Sequence, residues 1–329
     1  MSHYSHKPVM PQEVIELLGL VTKSPIAALH SSSLSSLTES QLRVARTRKP
    51  CSERFGDEPI SYIDGTTGGA GHSRMILDIL GDSGHLYSFD QDEEVINRLQ
   101  GHNLKNWTLV NENFSEIYNY CKESNIEING GILLDLGLSS IQLDDPERAL
   151  NFDSEYEPDM RLDRRLSLTA SQVINKYQEK VLADIIYQYG EENKSRQVAK
   201  AIVGARPIRS CRQLAELIKG LFIKSAHGKT FRIHPATKTF QALRIFVNRE
   251  LDVLEKVLKP DLEVLMPGSR IVVISFHSLE DRIVKNAFRA LKASGHAKIL
   301  TPKPLVATEE EIAINPRSRS AKLRAIEIL

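Results

Sequence analysis

Four segments in the first half of the chain have the apolar runs of strands, three of them followed by helical spacing. ISYID (60–64) leads through a glycine-rich turn into HSRMILDIL, and HLYSFD (85–90) leads into DEEVINRL. WTLVNEN (107–113) leads into FSEIYNYCKESN, and GGILLDLG (130–137) is the fourth strand. Strand and helix alternating at this interval predict right-handed βαβ units and a parallel sheet. RIVVISF (270–276) reads as a fifth strand and LRAIEIL (323–329) as a late one.

Between Pro146 and about Pro235 the rhythm changes. LTASQVINKYQEKVLADIIYQYGEEN, KSRQVAKAIVGARP and SCRQLAELIKGLF all carry helical spacing with few strand signals. Ser210 is placed to cap the third of these helices, and Gly190 and Pro207 mark the ends of the first two. The pattern predicts a helical domain over 147–235, inserted into an α/β domain whose two parts are 1–146 and 236–329. FQALRIFVNRELDVLEKVL then leads back to the sheet. Residues 23–59 are Ser-rich and basic with little periodicity, and predict a solvated low-complexity insertion. A basic arm that contacts RNA is the competing reading of that stretch.

Composition narrows the class mainly by exclusion. The 329 residues are 26% charged and 41% hydrophobic with a formal net charge of +1, so no global field marks a polyanion binder. Cys51, Cys121 and Cys211 form no C-x-x-C pair, which argues for a reducing compartment and against a disulfide frame or zinc site. No apolar run approaches the ~20 residues that span a bilayer. MSHYSHKPVMPQEV lacks the apolar core of a secretory signal, and the block starting at His6 leaves no room for an ordinary transit peptide. A protein of the bacterial cytoplasm, without membrane association, is expected; the mitochondrial matrix is the alternative. Charge is uneven, however: Lys194 to Lys238 holds eleven Lys or Arg and one acid, Glu216, and NPRSRSAKLR adds a second basic run. Such segments attract a polyanion even on a neutral protein, although solvated helix faces produce the same count.

Candidate chemistry gathers at strand ends. YIDGTTGGAGHS puts glycines 65, 68, 69 and 71 between a strand and a helix, where a backbone can approach a ligand closely. The dinucleotide pattern G-x-G-x-x-G would need glycine where Arg74 stands, and no phosphate-cradling G-x-x-x-x-G-K-[ST] is present. HLYSFD ends on Asp90, 26 positions after Asp64, placed to accept hydrogen bonds from two ribose hydroxyls. A helix cap before DEEV is the plainer reading of Asp90. NAD and S-adenosylmethionine both carry such a ribose, and the missing pyrophosphate loop favours S-adenosylmethionine.

Taken together the motifs resemble the MraW/RsmH-type S-adenosylmethionine-dependent methyltransferases. The resemblance is carried by HKPVMPQEVIELL, YIDGTTGGAGHS, FDQD, GILLDLGLSSIQLDDPERALNF and PDMRLD, then by YGEE, HPATKTFQALRIFVNREL, ISFHSLEDRIVK and NPRSRSAKLR. It implies a Rossmann-like α/β methyltransferase sheet with an inserted helical domain. It also implies methylation of the N4 amine of a cytidine in small-subunit ribosomal RNA. By position, the family's donor-binding residues fall on Ala70, Gly71, His72, Asp90, Phe114, Asp135 and Gln142. Four places depart from the usual pattern: Ala70 where glycine is common, Ile141 for proline, Ala149 for glycine, and FDSEYEPDMRLD without Gly-Pro-Leu. The 23–59 insertion is a fifth departure.

The chemistry asks for these groups. A cytosine N4 amine is a poor nucleophile because its lone pair is delocalised, so the protein must align amine, methyl and sulfur. An acceptor at the strand end would hold the amine N–H, and a base or water must take the departing proton. Asp135, in DLGLSS, is the candidate for that role, with Ser139 and Ser140 adding loop hydrogen bonds. His277 in SFHSLEDR and Asn248 on the preceding helix are candidates for the target-base pocket. His277, Glu280 and Asp281 have no known metal spacing, so no metal is expected. His234 reads as a helix-start residue before Pro235. The expected partner is small-subunit RNA within a ribosomal subunit or assembly particle, and a homodimer is one oligomeric state the sequence allows. A catalytically impaired RNA-binding assembly factor of the same fold is the competing function; an NAD-dependent oxidoreductase lacks the phosphate loop. Neutralising several of Lys194, Arg196, Arg206, Arg209 and Arg212 is expected to flatten the salt dependence of RNA binding by ~0.7 per lost phosphate contact, read from affinities across a salt series.

Overall fold

The computed structural model describes residues 7–20, 60–101, 104–226, 231 and 233–329. The 23–59 insertion and Cys51 lie outside the described residues. The described chain divides into two compact units, Met1–Gly137 with Val253–Leu329, and Leu138–Asp252.

The first unit is built on strands β1 (Ile60–Asp64), β2 (Gly84–Phe89), β3 (Trp107–Val110), β4 (Gly131–Asp135), β5 (Arg270–Ser275), β6 (Ala297–Ile299), β7 (Leu305–Val306) and β8 (Lys322–Ile328). Their order is β3-β2-β1-β4-β5-β8-β6, with β7 paired to β8. β1 to β5 are parallel, as the alternating pattern predicts, whereas β8 runs antiparallel to β5, β6 and β7. The short strands β6 and β7 escape the sequence reading because two or three residues carry no period.

Helices α1 (Pro11–Leu18), α2 (Gly71–Leu80), α3 (Glu93–Leu99) and α4 (Ile117–Glu123) belong to this unit. The near-continuous apolar runs of β4 and β5 follow from burial on both faces: Ile132, Leu133, Leu134 and Ile271 to Ile274 are at most 1% exposed. Gly131 permits the close approach of those two strands, since a Cβ there would stand 2.4 Å from the Arg270 carbonyl oxygen. Strand order reverses between β1 and β4, and in open parallel sheets the crevice beyond the carboxyl ends at such a reversal receives ligands.

The second unit is helical. It holds α5 (Ser140–Asp144), α6 (Ala170–Lys176), α7 (Glu179–Gly190), α8 (Ser195–Gly204), α9 (Cys211–Ala226) and α10 (Thr237–Asn248), packed around Ile174, Ile186, Ile202, Leu214, Ile218 and Leu243. Helix α11 (Glu250–Val257) begins in this unit and ends in the first; α12 (Ser278–Ala293) and α13 (Glu309–Ile314) complete the first. Ser210 Oγ accepts the Gln213 N–H at 3.1 Å, the cap expected for the third helical pattern. Two long patterns are each broken: Tyr177 is extended between α6 and α7, and Arg249 is left-handed, with φ 52°, between α10 and α11. Periodicity continues across both breaks because the flanking helices bury apolar faces, so spacing alone misses them.

The glycine-rich turn is tied to two strands. Gly65 N–H donates to the Leu133 carbonyl at 2.9 Å, and the Thr67 N–H and hydroxyl both donate to the Phe89 carbonyl, at 3.0 and 2.9 Å. It closes on Ala70, fully buried and left-handed at φ 59° and ψ 23°. That conformation costs an L-residue with a Cβ roughly 1–2 kcal/mol. Ala70→Gly removes the strain but adds unfolded-chain entropy, so a net gain of roughly 0.5–1 kcal/mol is expected from urea denaturation. Equal or lower stability contradicts the strain assignment.

Candidate active site

Parallel pairing sends the ends of β1, β2, β4 and β5 to one edge of the sheet, and each delivers an acid. Asp64 closes β1, Asp90 follows β2, Asp135 closes β4, and Glu280 lies in the first turn of α12 after β5. Asp64, Asp90 and Glu280 are buried and Asp135 is nearly so.

Asp90 holds the loop rather than a helix end. Its Oδ2 accepts the Gly68 N–H at 2.8 Å and its Oδ1 accepts the Asp92 N–H at 3.0 Å. The cap of α3 is Asp92, whose Oδ1 accepts the Glu94 N–H at 3.1 Å. Burial pushes the Asp90 carboxyl up to about 7, against the pull of the two N–H donors. Its main chain is fixed as well: the Asp90 N–H donates to the Val110 carbonyl, and Asn111 Nδ2 donates to the Asp90 carbonyl at 3.0 Å.

Asp135 sits between the glycine turn and α2. Its N–H donates to Thr66 Oγ1 at 2.7 Å, and its Oδ2 faces His72 Nδ1 at 3.5 Å. Burial pushes its carboxyl up to about 6; His72 pulls it down, and the charges of Asp64 and Glu280 push it up again. Asp64 accepts from Ser73 Oγ at 2.6 Å and from the Thr66 N–H at 3.1 Å, and burial likewise raises its carboxyl above the usual range. Among the described residues, the polar partners of these three acids are main-chain N–H groups, hydroxyls and an imidazole. The corner therefore carries an unmet demand for positive charge.

Of the residues expected at the donor site, Ala70, Gly71, His72, Asp90, Phe114 and Asp135 belong to this unit. Gly71 opens α2, and Phe114 opens a 3₁₀ turn, Phe114–Glu116, after β3. Phe114 is half-buried, and its Cβ approaches Gly65 so closely that a Cβ on the glycine would lie 3.2 Å away. Thr66, Thr67, Ser73 and Asp64 complete the site. In GTTGGAG the glycines carry the stronger sequence signal; the paired threonines directly after a strand are the signal for the hydroxyls.

His277 caps α12. Its Nδ1 accepts the Glu280 N–H at 3.3 Å, while the Glu280 carboxylate accepts the Phe276 and His277 N–H groups at 2.7 and 3.2 Å. Nε2 lies 3.0 Å from Glu280 Oε1, yet it is not aimed along a hydrogen bond and stands buried without one. The proximity is electrostatic only.

Gln142 and Asn248 belong to the second unit. Gln142 closes a capping box on α5, its Oε1 accepting the Ser139 N–H at 3.1 Å and its N–H donating to Ser139 Oγ at 3.2 Å. The Ser140 side chain lies outside the described residues. Asn248 is committed to main chain: Oδ1 accepts the Leu162 N–H at 2.7 Å, and Nδ2 donates to the Met160 and Arg244 carbonyls, both at 2.8 Å. The buried Arg148 donates to Asp145 Oδ2 at 3.1 Å and the Leu162 carbonyl at 3.0 Å. Together they fix the backbone of PDMRLD.

On the same unit, Arg206 donates to the Ile174 and Tyr177 carbonyls at 2.7 and 2.6 Å. Arg212 pairs with Glu155 and donates to the Asp153 carbonyl. Arg206 is half-buried and serves the fold, whereas Arg212, like Arg196, Lys200 and Arg209, is exposed. His234 Nδ1 accepts the Ala236 N–H at 3.2 Å, as a helix-start residue does.

Among the described residues no helix is long and apolar enough to cross a membrane. Residues 3–329 match the model of the MraW methylase family. The chain is 46% identical over 277 residues to the ribosomal RNA small subunit methyltransferase H of Acidobacterium capsulatum, covering 81% of this chain and 91% of that protein. It is 41% identical over 330 residues to the protein of the same name from Trichormus variabilis, covering 98% of this chain and 92% of that one. With the Bacteroides thetaiotaomicron protein, also so named, it shares 43% identity over 279 residues, covering 81% and 90%. The chain belongs to the MraW methylase family.

Proposed function

We propose that this protein methylates the N4 amine of a cytidine in small-subunit ribosomal RNA, with S-adenosylmethionine as donor. The observation that carries the donor assignment is the set of buried acids at one sheet edge. A cationic ligand with two ribose hydroxyls answers their charge, whereas an anionic pyrophosphate would meet Asp64, Asp90 and Asp135 without a cation between. The family's relatives supply the RNA class by their names.

S-adenosylmethionine supplies an electrophilic methyl group on a positively charged sulfur. Asp90, once ionised, accepts the ribose hydroxyls while Gly68 and Asp92 hold its carboxylate in place. Gly65 lets the turn pack against Leu134, Gly68 takes its left-handed bend at φ 48°, and His72 orients the Asp135 carboxyl. Phe114 covers the adenine. Asp135 accepts an N–H of the target amine, turning the nitrogen lone pair toward the methyl, and its raised proton affinity suits it to receive the departing proton. His277, with its Nε2 buried 3.0 Å from Glu280, is assigned to the wall of the target-base pocket. We assign Asn248 a positioning role, since its carboxamide is spent on holding residues 160–162.

The 147–235 segment is the proposed RNA-recognition domain. Arg196 and Lys200 lie one turn apart on the exposed side of α8, whose buried side is Val198, Ala199 and Ile202. The target base must be single-stranded or flipped out to reach a buried acid. The cytoplasm and a ribosomal subunit or assembly particle are the proposed setting.

Mass spectrometry of small-subunit RNA from cells with and without the gene tests the activity: one N4-methylated cytidine is expected to disappear without it, and an unchanged set of modified nucleosides refutes the assignment. Donor binding is expected to follow the Asp90 charge. Its carboxyl stands at about 7, so affinity falls as pH drops through 7, by about tenfold per unit at the limit. Asp90→Asn is expected to bind at least about a hundredfold more weakly, losing two charge-assisted bonds, and to flatten the pH dependence above 6. Calorimetry across pH 5.5–8.5 reads both; a steep profile that survives in Asp90→Asn contradicts the role.

A further inference from the structure

The peptide group between Val9 and Met10 is gripped at both ends. Its carbonyl oxygen is 2.8 Å from His72 Nε2, and its N–H donates to Glu311 Oε1 at 2.7 Å. A carbonyl oxygen carries no proton, so the first contact requires the hydrogen on Nε2. In neutral imidazole that leaves Nδ1 as an acceptor facing Asp135 Oδ2 at 3.5 Å, a pairing that is attractive when Asp135 carries the proton. Asp135, His72, the 9–10 peptide and Glu311 thus form one line of polar groups, all within the first unit.

The peptide is held in this orientation at a cost. Met10 is fully buried and left-handed, with φ 49°, and Val9 is also buried. A second tie fixes the same segment, since Asn315 Nδ2 donates to the Lys7 carbonyl at 3.3 Å. Glu311 is fixed in turn: its N–H donates to Thr308 Oγ1 at 3.2 Å in the first turn of α13. Glu13 lies close enough that the Glu311 charge adds to burial in raising its carboxyl.

We propose that Glu311 is a positioning residue for the donor site, locking His72 as the Nε2–H tautomer that presents Nδ1 to Asp135. This rests on reading His72 and Asp135 as donor-site residues. An ionised acceptor on the Met10 N–H polarises the peptide and makes the Val9 carbonyl a better acceptor. The opposite tautomer would set the Nε2 lone pair against that carbonyl. Glu311 therefore acts through the peptide and the imidazole, and touches neither donor nor nucleobase.

The test uses the full chain with ¹⁵N-labelled histidine, the His72 signals being assigned by their loss in His72→Asn. In wild type, the nitrogen shifts of neutral His72 are expected to report the proton on Nε2. Glu311→Ala is expected to mix the two tautomers and weaken S-adenosylmethionine binding about three- to tenfold. Glu311→Gln keeps an acceptor oxygen and is expected to restore both. A wild-type proton on Nδ1 overturns the proposal, as does a folded Glu311→Ala with unchanged tautomer and affinity. If the alanine variant does not fold, Glu311→Asp, whose shorter side chain withdraws the carboxylate from the Met10 N–H, replaces it, and unchanged tautomer and affinity there overturn the proposal. The spectra require no bound donor, so failure of the lock and failure of the donor assignment are told apart.

Discussion

The structure turns on carboxylates kept out of water at one end of a parallel sheet. Asp64, Asp90 and Asp135 all resist ionisation chiefly because they are buried. For Asp90, with a folded value of about 7 against an ordinary 3.8, the fold gives up roughly 4 kcal/mol once the pH exceeds both. The sign is that of a raised acid: nothing is lost below pH ~4, and the loss grows until about 7. A core does not keep such groups for stability. They make sense as half of an interaction whose other half is a cation, and a sulfonium donor with two ribose hydroxyls supplies it.

The scaffold around these acids is chiefly backbone and hydroxyl. Thr66 and Thr67 bind the glycine turn to β4 and β2 at once, and Gly68 delivers its N–H to Asp90. A turn held at both flanks can be shaped for a ligand even where Ala70 stands in a conformation that favours glycine. The second unit uses the same device on another segment: Asn248 and Arg148 both bind the main chain at 160–162. In both units, polar side chains act by fixing backbone.

Much of this was legible in the sequence, and the reasons are specific. The five parallel strands announced themselves because both faces are buried, leaving continuous apolar runs such as ILL and IVVI. Asp90 and Asp135 stood out as acids ending such runs. The helical second unit was visible from spacing, although its breaks at Tyr177 and Arg249 were not, since apolar periodicity carries across them. Glu311 and the Val9–Met10 peptide were invisible for another reason: they meet across about 300 residues of chain. The same limit hid the work of Arg206 and Arg212. They count as basic residues in a run, but their hydrogen bonds to Ile174, Tyr177 and Asp153 are decided only by the fold.

Proton release on donor binding tests the central claim most directly. Calorimetry of S-adenosylmethionine binding in buffers of different ionisation enthalpy counts the protons exchanged. Near pH 6.5 the free protein holds Asp90 and Asp135 partly protonated, so binding a cation should expel protons, and the release should vanish by pH 9. Zero exchange or net uptake at pH 6.5 would mean that the buried acids do not answer the donor's charge.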